Sequence, residues 1–181
     1  MVSRERTKNA RNKKTSFIII DAQSVKNSNT AHLKGYDAGK KVSGIKRHLA
    51  VDTQGLPHAV AVTAANVTDR SGALQMMLAK RDGLSNVKNV LADAGYTGEA
   101  FRNSVYQGIQ ATVEIAKRSE LHSFKVMPKR WVVERSFSWV EKSKRLWKNC
   151  ERLVSSSIAM ILLSFIQILL KRFQTVSNTL H

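Results

Sequence analysis

The sequence predicts an α/β domain built on a mixed sheet flanked by helices, and three observations carry that prediction. The apolar run SFIIID, residues 16 to 21, suits a strand covered on both faces. Two further runs, IKRHLAVD and LPHAVAVTA, are joined by the turn signal DTQG and read as a hairpin. Helical and strand-like segments then alternate, which is the order that lays helices on the faces of a sheet.

The first fifteen residues, MVSRERTKNARNKKT, hold six basic residues, one acid and no apolar run, so they read as a flexible basic arm, with residues 16–181 as one domain. After the first strand, residues 22 to 44 are polar and carry Gly35, Gly39 and Gly44, so a long loop is expected before the hairpin. NVTDRSGALQMMLAKRDG opens on the cap candidates Thr68 and Asp69 and stops at Gly83, which marks a helix. NVKNVLAD is a fourth strand. Thr97, Glu99 and Gly108 bound a short helix, and IQATVEIA alternates as a fifth, one-sided strand. A helix from about Arg130 to Lys148 is expected next, with Val133, Phe137, Val140 and Trp147 as its core stripe. The last helix runs from about Ser155 to Phe173, and its apolar run is broken by Ser164 and Gln167, so it is expected to be a buried helix and not a membrane span.

Charge narrows the function. Thirty Lys and Arg against thirteen Asp and Glu give a net charge of +17, more than solubility requires, which points to a polyanion with nucleic acid first. The single cysteine, Cys150, excludes an internal disulfide and a cysteine-rich zinc site and suits a reducing compartment, so a cytoplasmic protein is expected.

Two of the strands end in acids, Asp21 and Asp93. In an open α/β sheet, ligands gather beyond the carboxyl ends of strands, so parallel neighbours would set these two carboxylates side by side. Such a pair repels itself unless a divalent cation neutralises it, and oxygen-only ligands suit Mg2+ or Mn2+. Glu134, on the helix after residue 130, completes the set. Two ions held by three acids are the apparatus for attack on a phosphodiester. The basic bed for the backbone is expected in Lys46, Arg47 and His48, in the arm, and in Arg130, Arg135, Lys142, Lys144, Arg145 and Lys148.

The segments IIDAQSVK, GYDAGKKVSGIKRHLAVDTQGL, AANVTDRSGA, LADAGYTG and RWVVERSFSWVEKSKRL, in that order, resemble the catalytic half of bacterial insertion-sequence DDE transposases of the insertion sequence five group. The resemblance covers roughly residues 17 to 172 and implies a ribonuclease-H-like fold, here a mixed five-stranded sheet flanked by helices. It also implies magnesium-dependent cleavage of double-stranded DNA at the element's ends, strand transfer into target DNA, and Asp21, Asp93 and Glu134 as the triad. The protein would then act at the nucleoid. Synapsis of two ends implies a homo-oligomer on DNA.

In the group's signature, Tyr, two residues, Arg, three residues, Glu, six residues, Lys, this chain matches at Arg130 and Glu134. Met127 stands at the Tyr and Glu141 at the Lys, with Lys142 one position later, so Glu141 is the rival third ligand. Members also carry an N-terminal recognition domain where this chain opens on the arm, so fusion with an upstream reading-frame product is expected. Two other classes stay open: a same-fold DNA nuclease without joining activity, and an inactive DNA-binding remnant. Asp52 reads as a turn residue and Asp69 as a helix cap, while Trp131 and Trp139 fit packing or base stacking.

Overall fold

The computed structural model describes residues 1–116 and 131–177. Its elements, in order, are α1 (Val2–Lys8), β1 (Phe17–Lys26), β2 (Gly35–Asp37), β3 (Val42–Val51), β4 (Pro57–Ala64), α2 (Asp69–Ala79), β5 (Asn89–Ala92), α3 (Glu99–Ile109), β6 (Thr112–Ile115), α4 (Trp131–Glu141) and α5 (Val154–Ser177).

The strands form one sheet in the order β2-β3-β1-β5-β6, with β4 also paired to β3. The pairs β1–β5 and β5–β6 are parallel, whereas β1–β3, β2–β3 and β3–β4 are antiparallel. This mixed sheet, with helices on both faces, is the arrangement of a ribonuclease-H-like fold.

Period-2 alternation sends neighbouring residues of β1 into two separate cores. Ile18 and Ile20 join Met76, Met77, Phe101 and Val105 under α2 and α3. Ile19 and Val25 join Val133, Phe137, Val140, Ile161 and Phe165 under α4 and α5. Ile18 and Ile19 are wholly buried, and each such side chain stabilises the fold by about 2 to 3 kcal/mol.

Several expectations are corrected. β1 does not stop at Asp21 but runs to Lys26, because β3 pairs with it from Ile19 to Lys26 and satisfies its backbone groups. The expected loop 22 to 44 therefore shrinks, and its end contributes a sixth strand, β2. Thr68 caps α2 as expected, accepting from the Ser71 amide, but Gly98 and not Thr97 precedes α3, and Gln110, at φ 56°, ends it.

α4 stops at Glu141, short of the expected Lys148, so Val133, Phe137 and Val140 are buried while Trp147 is 64% exposed. The segment read as a flexible arm contains α1, and its Arg6 is buried in an ion pair with Asp52 in the β3–β4 turn. α5 buries Ile161, Phe165 and Leu169 but exposes Leu162, Leu163, Ile166 and Leu170. By length and composition, Val154–Gln174 would suffice to cross a membrane, although one such helix is weak evidence for that.

Candidate active site

The parallel pairing of β1 with β5 matches Ile18 to Val90 and Ile19 to Leu91. Continuing that register by two residues sets Asp21 level with Asp93, the residue that follows β5. Ile19 and Leu91 both face the core under α4 and α5, so alternation turns both acids to that same face. Asp21 is half-buried, and its Oδ1 accepts from the Ala22 amide at 2.8 Å. Asp93 Oδ1 accepts from the Gly95 amide at 2.9 Å, which fixes the short turn Ala94–Tyr96 beyond the strand.

Glu134 reaches this face from α4, whose first two turns pack on β1 and β3 through Val132, Val133 and Phe137. A cleft of about 320 Å³ opens between the helix and the strand, lined by Asp21, Gln23, Ser24, Lys40, Glu134, Phe137, Ser138 and Glu141 among others. Asp21 and Glu134 thus share one cavity, and Asp93, the residue after β5, does not line it. Among the described residues, no three His, Cys, Asp or Glu side chains are drawn together as a ready metal-binding group. The donor set nevertheless fits a hard divalent cation in its chemistry, since every candidate ligand is a carboxylate oxygen.

Glu141, the rival ligand, is occupied differently. Its Oε1 accepts from Gln23 Nε2 at 2.7 Å.

The expected basic bed at residues 46 to 48 is not an open surface. β3 lies between β1 and the strands β2 and β4, with helices above and below, so all three side chains are buried, Lys46 at 6% exposure, Arg47 at 1% and His48 at 0%. Lys46 pairs with Asp69 at 2.8 Å and with Asp37 at 3.4 Å. His48 Nε2 lies 2.9 Å from Thr63 Oγ1. Burial, aided by Lys46 and Lys40 and opposed by Asp69, lowers the His48 pKa to about 4, so the ring is neutral at pH 7. Burial likewise lowers the Arg47 pKa to about 10 against the pull of Glu141.

The described basic residues of the expected bed from Arg135 onward are less enclosed. Arg135 stacks on Trp131 at 4.5 Å and on Trp139 at 4.7 Å, and Arg172 of α5 stacks on Trp139 at 5.0 Å, forming an alternating ladder that passes from α4 to α5. Lys142, Lys144, Arg145 and Lys171 line a groove of about 440 Å³ between the end of α4 and α5. Arg145 also pairs with Glu151 at 2.8 Å. Arg130 lies outside the described residues.

Sequence reasoning did not place two residues of the cleft beside Asp21. Gln23 follows Asp21 by two positions on an extended strand, a spacing that shares a face once β1 is known to continue. Lys40 sits in the glycine-containing polar stretch 22 to 44, whose lysines fit either a DNA clamp or a solvated surface, and no local signal ties it to Asp21.

Two comparisons bear on this site. A family model described as a transposase DDE domain matches residues 12–169. A curated Burkholderia cepacia protein, provisionally named a transposase for insertion sequence element IS402, is 34% identical over 117 residues, which cover 60% of this chain and 54% of that protein. The chain thus spans about half the length of this relative.

Proposed function

The chain belongs to the transposase DDE domain family, and on that premise we propose that it is the catalytic core of an insertion-sequence transposase, cutting and joining double-stranded DNA at element ends. The observation that carries this reading is the β1–β5 register, which sets Asp21 level with Asp93 on the face where Asp21 shares a cleft with Glu134. Members of such families use divalent metal ions. In this reading Asp21, Asp93 and Glu134 hold two Mg2+ ions, with Mn2+ able to replace them, and the insertion sequence five group is the branch the motifs favour.

When bound, the ions supply an activated attacking oxygen and neutralise the charge that builds on the phosphodiester in the transition state. The chain's own residues do the rest. The sheet holds Asp21 within β1, and Asp93 directly follows β5, so little reorganisation remains at the moment of reaction. α4 sets Glu134 on the opposite wall, with Val133 and Phe137 locking the helix against the strands. Lys142, Lys144 and Lys171 offer the DNA backbone a cationic groove beside the cleft. Bringing two ends together calls for a homo-oligomer on DNA, and such a substrate places the protein in the cytoplasm at the nucleoid.

The test uses duplexes that carry the element's terminal repeats, incubated with the chain and Mg2+ or Mn2+. Nicking and joined products are expected, and Asp21→Asn, Asp93→Asn and Glu134→Gln should each remove both while leaving the thermal melt unchanged. Cleavage without joining would reduce the function to a nuclease. Products that survive all three substitutions would end the reading.

A further inference from the structure

The cleft that holds Asp21, Glu134 and Glu141 is lined by a single basic side chain among the described residues, Lys40. It comes from the tip of the β2–β3 connection, where Lys41 adopts φ 53° to turn the chain back. Lys40 Nζ donates to the carbonyl of Ala22, the residue after Asp21, at 3.2 Å.

The tip is fastened from below. The Lys40 amide donates to Asp37 Oδ1 at 3.1 Å, and Asp37 Oδ2 accepts from Ser24 Oγ of β1 at 2.5 Å. Lys46, beneath, reaches Asp37 at 3.4 Å, Asp69 at 2.8 Å and the Val67 carbonyl at 2.8 Å. The two lysines differ in exposure: the Lys46 side chain is 7% exposed and held in close ion pairs, whereas the Lys40 side chain is 47% exposed and, besides the Ala22 carbonyl, has only the longer 3.9 Å pair with Asp69 Oδ2.

A phosphodiester that approaches three carboxylates meets their repulsion before any ion bridges it to them. A fixed ammonium on the wall opposite α4 would offset that repulsion and orient the phosphate. On the transposase reading given above, we propose that Lys40 is a catalytic residue that binds a non-bridging oxygen of the phosphate entering the acid cleft. Its flexible stem lets the head leave the Ala22 carbonyl for the substrate while the Asp37 bond keeps its backbone in place.

The test compares Lys40→Met, Lys40→Arg and the neighbouring Lys41→Met in the full chain. The first readout needs no turnover: binding of a fluorescein-labelled duplex across a salt series in Ca2+. Lys40→Met should bind several-fold more weakly with a log–log salt slope shallower by about 1, and Lys40→Arg should keep the slope. The second readout is single-turnover nicking in Mn2+, where Lys40→Met should be about 100-fold slower, in line with loss of one charge-stabilising donor. Lys40→Arg should recover most of that rate, and Lys41→Met should change neither measurement.

An unchanged salt slope for Lys40→Met overturns the proposal. So does nicking at the wild-type rate while Asp21→Asn is inactive, a result that leaves the transposase reading standing. If Asp21→Asn nicks like the wild type, the reading itself falls and takes this inference with it. A drop of several degrees in the Lys40→Met melt that Lys40→Arg does not restore would assign Lys40 a structural role through the Ala22 carbonyl and refute substrate contact.

Discussion

Gln23 and Arg47 stand directly opposite one another on β1 and β3, and Gln23 carries the last residue of α4 by donating to Glu141 Oε1 at 2.7 Å. Arg47 lies buried on the same face, with Nε and Nη1 lacking hydrogen-bond partners, and it feels the Glu141 charge. Glu141 thus supplies a counter-charge to Arg47, while in the proposed function Glu134, two turns earlier, is the metal ligand.

These roles separate in mutants. Glu141→Gln preserves the Gln23 contact through its amide oxygen and should keep nicking within about threefold of wild type, whereas Glu134→Gln should lose about 1,000-fold or more, as expected for a metal ligand worth several kcal/mol in the transition state. Single-turnover nicking of both variants decides this, and an equal loss would return Glu141 to the ligand set.

Arg6 and Asp52 should govern the stability of the docked N-terminal segment. Arg6 is buried against an Asp52 carboxylate that also meets His58 Nε2 at 3.3 Å and the amides of Gln54 and Leu56 at 2.9 and 3.1 Å. Arg6→Ala should cost about 3 kcal/mol in urea denaturation, the scale for leaving one partner of a buried ion pair behind.

His48 gives stability a pH dependence. Its folded pKa is depressed from 6.5 to about 4 by burial, with Asp69, Lys46 and Lys40 as the charges that face it. The unfolded chain therefore takes up a proton first as pH falls. The stabilisation is full above pH 6.5 and shrinks through pH 4, a loss of about 3 kcal/mol over that window. His48→Gln should flatten this part of a stability-versus-pH curve. Asp52 acts at lower pH: burial alone would raise its pKa, but the His58 hydrogen bond and the Gln54 and Leu56 amides win and lower it, so its contribution is lost only as pH falls below about 4.

The same histidine dictates its neighbour. A Cβ on Gly72 would stand 2.1 Å from His48 Cε1, and the buried ring has nowhere to move. Gly72→Ala should destabilise the protein by about 1 to 3 kcal/mol by overpacking, despite the better helix propensity of Ala. A rise in melting temperature would contradict this packing.

The groove between α4 and α5 predicts a steep salt dependence of DNA binding. Replacing Lys142 and Lys144 by Gln should make the log–log slope shallower by about 2, at roughly 0.9 per phosphate contact. A slope that stays unchanged would place the DNA elsewhere.

Much of the architecture was written in local pattern. SFIIID declares a strand covered on both faces and Thr68 declares a cap, whereas the end of that strand was not legible, since β1 runs past Asp21 to Lys26. The legible features depend on periods of two or 3.6 residues and on capping chemistry, so a short window of residues suffices to read them.

What the chain's order could not settle was access. Lys46, Arg47 and His48 look like a basic patch, yet they lie on a strand enclosed by β1, β2 and β4 and covered by helices, while Lys40, one of several lysines in a polar loop, faces the cleft. Arg6 reads as one charge in a loose arm until Asp52, far along the sequence, meets it. By itself the sequence determined the main strands and helices and that Asp21 and Asp93 lie on or next to neighbouring strands, but not α1, β2 or the ends of β1 and α4. Only the tertiary structure decided which charges reach solvent, because burial is set by partners distant in the chain, whose approach no local period encodes.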